Sequence, residues 1–205
     1  MSTSINPCQI LKQNLSLSGG GGGGSDYLLD SYPAFAAFSV RQLSSDSTNC
    51  IRIREDGGGT FADIGFDENG IVDETAIATH CGANNGFVQT WYDQSGNARD
   101  AIQNTTSRQP QIYDGSAVLK QGGLPAVTRF DNTSGLQTAT FTSTQEQPTT
   151  WFGVGLMTLA NEFLFDSTPD GSAPIQRLNV ADDGNKRRVG YSGGSNVVST
   201  PIINR

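Results

Sequence analysis

The side chains able to do chemistry are few and poorly grouped. The single histidine, His80, stands beside Cys81, and the sequence offers it neither the spacing of further zinc ligands nor an arguable Ser-His-Asp set. Cys8, Cys50 and Cys81 are odd in number and lack any C-x-x-C spacing, so they read as reduced cysteines, although one pair can form if the fold brings Cys50 near Cys81. The densest polar run is Trp91-Tyr92-Asp93-Gln94-Ser95-Gly96-Asn97, followed by Asp100. Asp93, Asn97 and Asp100 could offer oxygens to calcium, but a hard cation wants six to eight and no dedicated loop surrounds these three. The simpler chemistry is local. A strand ends in two aromatics, Asp93 and Ser95 bond the amides of an Asx-type turn, and Gly96 takes the unusual dihedral. No residue is assigned a catalytic, cofactor-binding or metal-binding role, and no cofactor is expected.

Such a turn needs strands to hold it, and the chain beyond residue 25 is patterned as short strands and turns. Residues 37–43, 51–54, 87–92, 126–130, 151–157 and 162–165 are rich in aromatic and branched residues. Ile51-Arg52-Ile53-Arg54 alternates strictly, which predicts one buried face and one wet face. Turn chemistry separates these runs at Asp56-Gly57-Gly58-Gly59, Glu68-Asn69-Gly70, residues 94–97, Asp114-Gly115 and Ser192-Gly193-Gly194. Asp73 to His80 alone reads as a helix, with Asp73 as N-cap, Ile77 facing the core, Gly82 near its end and His80 on the surface. A hairpin is expected around residues 183–186, pairing Val180 with Val189 and Leu178 with Tyr191. Trp91 and Trp151 lie within apolar runs and are expected in the core.

Composition agrees. Hydrophobic residues make up 35% of the 205, 25 are glycine and 16% are charged, a mixture that suits short strands with many tight turns and not long helices. Twenty acidic against 13 basic residues give a net charge of −7, which repels phosphate backbones and disfavours nucleic acid as a partner. No run approaches the roughly 18 apolar residues of a membrane span, and the first 13 residues do not read as a signal peptide, so synthesis in a cytoplasm without membrane insertion is expected.

Residues 19–24 are six consecutive glycines, which read as a flexible hinge reaching about 13–15 Å. Before it, Ile10, Leu11, Leu15 and Leu17 stand among polar residues, in a segment too short for a domain. That segment is a disordered tail or an arm that orders on a partner's surface, and its apolar content favours the arm. The expected organisation is an arm and hinge over residues 1–25 and one β-sandwich over 26–205.

Several blocks occur in a telling order: Tyr27-Leu28-Leu29-Asp30-Ser31-Tyr32-Pro33 with Ala36-Ala37-Phe38-Ser39-Val40-Arg41, Ile51-Arg52-Ile53-Arg54, Asp63-Ile64-Gly65-Phe66, and Gly86 to Asn97 with its W-Y-D-Q-S-G-N string. Asp100-Ala101, Gln109-Pro110-Gln111-Ile112, Gly123-Leu124-Pro125-Ala126-Val127 and Arg129-Phe130-Asp131 follow. This order resembles a concanavalin A-like module of phage structural proteins, related to the catalytic domain of α-L-arabinofuranosidase B, over roughly residues 27–131. The resemblance implies an all-β, concanavalin A-like jelly-roll sandwich of two antiparallel sheets, here with one short helix near 73–80.

The resemblance also sets what an enzyme would need. A retaining glycosidase uses two carboxyl groups roughly 5–5.5 Å apart. The related enzymes carry their nucleophilic Glu in a His-Met-Glu setting and have an adjacent-cysteine pair, and this chain has neither. Glu162 and Asp166 would share a strand face about 13 Å apart, too far for that pair. The family pattern also continues past the position of Arg205, so the sandwich is expected to lack its final strands, through truncation or through packing of the last strand on a neighbouring chain. The expectation is therefore a non-catalytic virion protein, a tail, fibre or head-decoration component made in the host cytoplasm. Residues 1–25 would join other virion proteins, the chain would form a homo-oligomer, and the lectin-like sandwich would meet host surface polysaccharide through residues the sequence does not nominate. A glycoside hydrolase of the arabinofuranosidase type and a bacterial carbohydrate-binding lectin are the alternatives.

Overall fold

The computed structural model describes residues 27–126 and 134–139, together with the strand backbones 162–166, 177–182, 187–193 and 196–201. The chain divides between Ala139 and Thr140 into two compact units, each described by itself. Both are built from antiparallel strands, with few and short helices, so the class is all-β. The arm and hinge over residues 1–25, Cys8, residues 127–130 of the strand expected over 126–130, the strand expected over 151–157 with Trp151, and the 183–186 loop lie outside the described residues.

In the first unit, a helical turn α1 (Leu28–Ser31) precedes strands β1 (Ile51–Glu55) and β2 (Phe61–Ile64), helix α2 (Glu74–Cys81) and strand β3 (Asn85–Trp91). Short strands β4 (Ala101–Ile102), β5 (Gln111–Asp114), β6 (Lys120–Gln121), β7 (Leu124–Pro125) and β8 (Gln137–Thr138) follow. The main sheet runs β2-β1-β3-β4-β8, while β5 shares the far edge of β3 with β4 and β6-β7 form a separate pair. Phe87 pairs with Gln111 at one end of that edge, and Trp91 pairs with Ala101 at the other.

Alternation in the I-R-I-R block does what period-2 geometry requires: Ile51, Ile53 and Glu55 are buried while Arg52 and Arg54 are half-exposed. A register shift between Arg52 and Ile53 gives β3 one extra residue there, so Ile53 faces Val88 while Ile51 faces Trp91. Helix α2 lies against the core side of this sheet and inserts Ile77 among Ile51, Ile53, Ile64, Val72, Val88, Ile112 and Tyr113. Each fully buried Ile contributes about 1.5–3 kcal/mol relative to exposure. Asp73 caps the helix as expected, its carboxylate accepting from the Ala76 amide at 2.9 Å. Gly82, at φ +58°, ends it by donating its amide to Ala78 O.

Residues 37–43 correct the sequence expectation, because they form no strand and only Arg41 makes an isolated bridge, to Ile71. Their backbone groups bond to side chains and to scattered loops instead of a continuous ladder. The amide of Ala37 donates to Asp93, that of Leu43 donates to Gln94, and Gln42 and Val40 pair with the 70–72 segment.

The second unit contributes strands β9 (Glu162–Asp166), β10 (Arg177–Asp182), β11 (Arg187–Gly193) and β12 (Asn196–Pro201), in the order β12-β11-β10-β9. The hairpin register is the one expected, with Val180 opposite Val189 and Leu178 opposite Tyr191. Ser192 and Gly193, expected in a turn with Gly194, instead pair with Val197 and Asn196, and Gly194 lies outside the described residues. A pair of small residues continues the ladder there because its backbone finds partners across the strand.

Candidate functional site

The W-Y-D-Q-S-G-N string leads out of β3 into a turn whose polar atoms are spent on backbone. Asp93 Oδ1 accepts from the amides of Ala37 and Ser95, at 2.8 and 2.9 Å. Its Oδ2 accepts from the Ser95 hydroxyl at 2.7 Å and the Arg99 amide at 3.0 Å. Asp100 in turn accepts from the Asp93 amide at 2.9 Å. Asn97 Nδ2 donates to the carbonyls of Ala34 and Phe35, while the Arg99 guanidinium donates to Phe35 O and stacks on its ring at 3.6 Å. Gly96 adopts φ +79°, as the turn chemistry anticipated.

Gln94, only 3% exposed, is the deepest member. Its Oε1 accepts from the Leu43 amide at 2.7 Å, and its Nε2 donates to Ser39 O at 2.8 Å and Arg41 O at 3.1 Å. One buried amide thus closes three backbone groups of a loop that has no ladder of its own. The oxygens considered for calcium are those through which Asp93 and Asp100 hold the turn, and Asn97 joins it as a donor. Among the described residues, no three His, Cys, Asp or Glu side chains gather to hold a metal ion.

Trp91 and Tyr92 play different parts. Trp91 is half-buried against the core with Phe38 at a ring distance of 6.1 Å, and its buried Nε1 has no hydrogen-bond partner. The Tyr92 hydroxyl donates to Asp63 Oδ1 at 2.6 Å. Burial, then the Asp63 carboxylate, push the Tyr92 pKa up to about 12.

Glu162 and Asp166 stand at the two ends of β9. Glu162 pairs with Val180 and Asp166 with Arg177, four steps on one strand against three on the other, because the register shifts between Leu178 and Asn179. Cys50 and Cys81 are free, buried thiols, so the pairing that proximity would have allowed is not made. Cys50 donates weakly to Ser39 O, and burial pushes its pKa up to about 12. Half-buried His80 places Nε2 3.2 Å from Thr60 O, joining the end of α2 to the β1–β2 connection.

A surface hollow of about 520 Å³ is lined by Glu74, Ala78, Tyr113, Ser116, Ala117, Val118 and Lys120, with Lys120 Nζ 2.9 Å from Glu74 Oε2. The opposite face of the sheet carries an array that sequence reasoning left without a role. Phe61, Arg54 and Phe87 stand in one cross-strand row, and Asp63, Arg52 and Thr90 stand in the next. Arg54 lies 5.1 Å from the Phe87 ring centre and donates through Nε to Gln109 Oε1 at 2.8 Å. Arg52 lies 5.6 Å from the Phe61 ring centre and only 3.6 Å from Asp63 Oδ1. The signal was the wet half of the I-R-I-R alternation; what it could not provide was the neighbouring strands. No family model, no curated protein and no solved structure matches this chain.

Proposed function

We propose that this chain is a non-catalytic structural protein of a phage particle, a tail, fibre or head-decoration component that displays a lectin-like module towards host glycans. The module is a concanavalin A-like jelly roll, its antiparallel strands packed as two facing sheets. Residues 1–25 dock on other virion proteins, and a homo-oligomer presents several copies at once, so that weak sugar contacts add through avidity.

The observation that carries this reading is the use made of the string on which the resemblance is most specific. Asp93, Gln94, Asn97 and Asp100 hold the loops at 34–43 and 95–100, as scaffold residues do. An acid/base catalyst needs a carboxyl free to exchange protons with substrate, whereas Asp93 is committed to three backbone amides and a hydroxyl. The acidic net charge of −7 suits display and disfavours a role on nucleic acid.

Purified particles carrying either the full chain or one lacking residues 1–25 test the proposal. The full chain is expected in the particle, and the shortened chain is expected as soluble protein left outside it. Normal incorporation of the shortened chain refutes the docking role of the arm. Hydrolysis of an arabinofuranoside by the purified full chain, abolished by one carboxylate substitution, refutes the non-catalytic reading.

A further inference from the structure

We propose that the outer face of the β2-β1-β3 sheet binds a carboxylate-bearing polysaccharide through Phe61, Arg52 and Asp63, a site that rests on the glycan-displaying reading above and gives it a location and a ligand class. The sheet's other face is closed by α2 and the core, with Ile51, Ile53 and Val88 fully buried. The outer face instead holds two guanidiniums, two phenyl rings, a phenol and a single carboxylate in adjoining rows.

The members of this array are not equally committed. Arg54 is fixed by Gln109, by the Glu55 carbonyl and by the Phe87 ring, so it positions its neighbours. Arg52 is held by a 3.6 Å ion pair with Asp63, by the Tyr92 hydroxyl and by a ring contact, and its side chain is still 44% exposed. A guanidinium carries five N–H donors in a fork that matches a carboxylate, so donors remain for a ligand beside these contacts. Phe61 is 45% exposed and offers an apolar surface to the C–H face of a pyranose. Asp63, oriented by the Tyr92 hydroxyl, keeps lone pairs for sugar hydroxyl donors.

Charge selects among sugars. On a chain of net charge −7, this face sets two arginines against one aspartate. A polyuronate is drawn to that excess and repelled by the acidic surface elsewhere, which fixes where it binds. A neutral glycan gains nothing from Arg52's fork, so it binds more weakly.

Affinity electrophoresis of the full chain through gels holding polygalacturonate, alginate or neutral pullulan tests the inference. Both polyuronates are expected to retard the wild-type protein, and pullulan is expected to leave it unretarded. Arg52→Ala and Phe61→Ala should each weaken the retardation about tenfold or more, and Arg52→Lys, which keeps charge without the fork, should weaken it nearly as much. Lys120→Ala removes the same charge from the Glu74 hollow and should change nothing. Amide exchange at Val88 checks that each variant is folded, and Phe61→Leu replaces Phe61→Ala if the latter is not. Wild-type protein unretarded by both polyuronates, unchanged retardation in the Arg52 and Phe61 variants, or equal loss in the Lys120 variant each overturns the site. Particle incorporation separates the two readings: a chain present in particles that ignores polyuronates sinks this site alone, and a chain that binds them through Arg52 but is absent from particles sinks only the virion assignment.

Discussion

Replacing Gln94 with Leu should loosen the whole first unit, although the residue touches no ladder. The substitution keeps an apolar body of similar size and deletes the three hydrogen bonds to Leu43, Ser39 and Arg41. The Leu43 amide loses its acceptor in a half-buried setting, which costs about 1–3 kcal/mol. Ser39 O retains a weak partner in the Cys50 thiol at 3.4 Å, and Arg41 is exposed enough for water to reach its carbonyl, so these two bonds together cost about 1 kcal/mol more. The sum is about 3 kcal/mol, a large share of the 5–15 kcal/mol typical of a domain. Native-state hydrogen exchange reads it directly, at Leu43 for the loop and at Val88 and Cys50 for the unit, since the last two amides donate to Pro110 O and Ile64 O. Exchange at Val88 and Cys50 should accelerate roughly 150-fold, at 1.36 kcal/mol per decade. Gln94→Glu retains the acceptor for Leu43 but sets a carboxylate against two carbonyls, so it should cost no less. An acceleration below about fivefold at both core amides, equivalent to about 1 kcal/mol, would show that water replaces the side chain and that the string is not the clamp described.

Three further outcomes follow from the same structure. Glu55 accepts from the amides of Thr60, Gly58 and Gly57, which lowers its pKa from 4.5 to about 2. The folded pKa lies below the unfolded one, so the stabilisation is complete above about 4.5 and lost as pH falls towards 2; thermal unfolding against pH should show this, and Glu55→Gln should flatten that part of the curve. Gly86→Ala would put a Cβ 2.8 Å from Cys81 Sγ and 3.0 Å from Tyr113 Cβ, inside the core, so urea unfolding should show a loss of about 1–3 kcal/mol. Burial raises the Cys50 and Cys81 pKa values to about 12 and 11, so at pH 8 both thiols should resist alkylation in native protein and react after denaturation, as peptide mapping by mass spectrometry would register.

Local chemistry was legible wherever a residue's role ends within a few neighbours. The I-R-I-R alternation, the Asp73 cap with Ile77 facing inward, the Gly96 dihedral and the pairing of Val180 with Val189 all rest on period, capping or turn geometry, which a sequence states outright. Residues 37–43 looked like a strand because propensity counts side chains and cannot see where backbone groups will find partners. Asp93 and Gln94, more than 50 positions away, took those partners. The two bulges, opposite Ile53 and between Leu178 and Asn179, likewise have no local mark, yet one places Trp91 beside Ile51 and the other sets Asp166 opposite Arg177. Sequence alone therefore determined the all-β class and the turns; tertiary structure decided which distant side chain closes which loop and which arginine meets which ring, because cross-strand neighbours are assigned only once strands are in register.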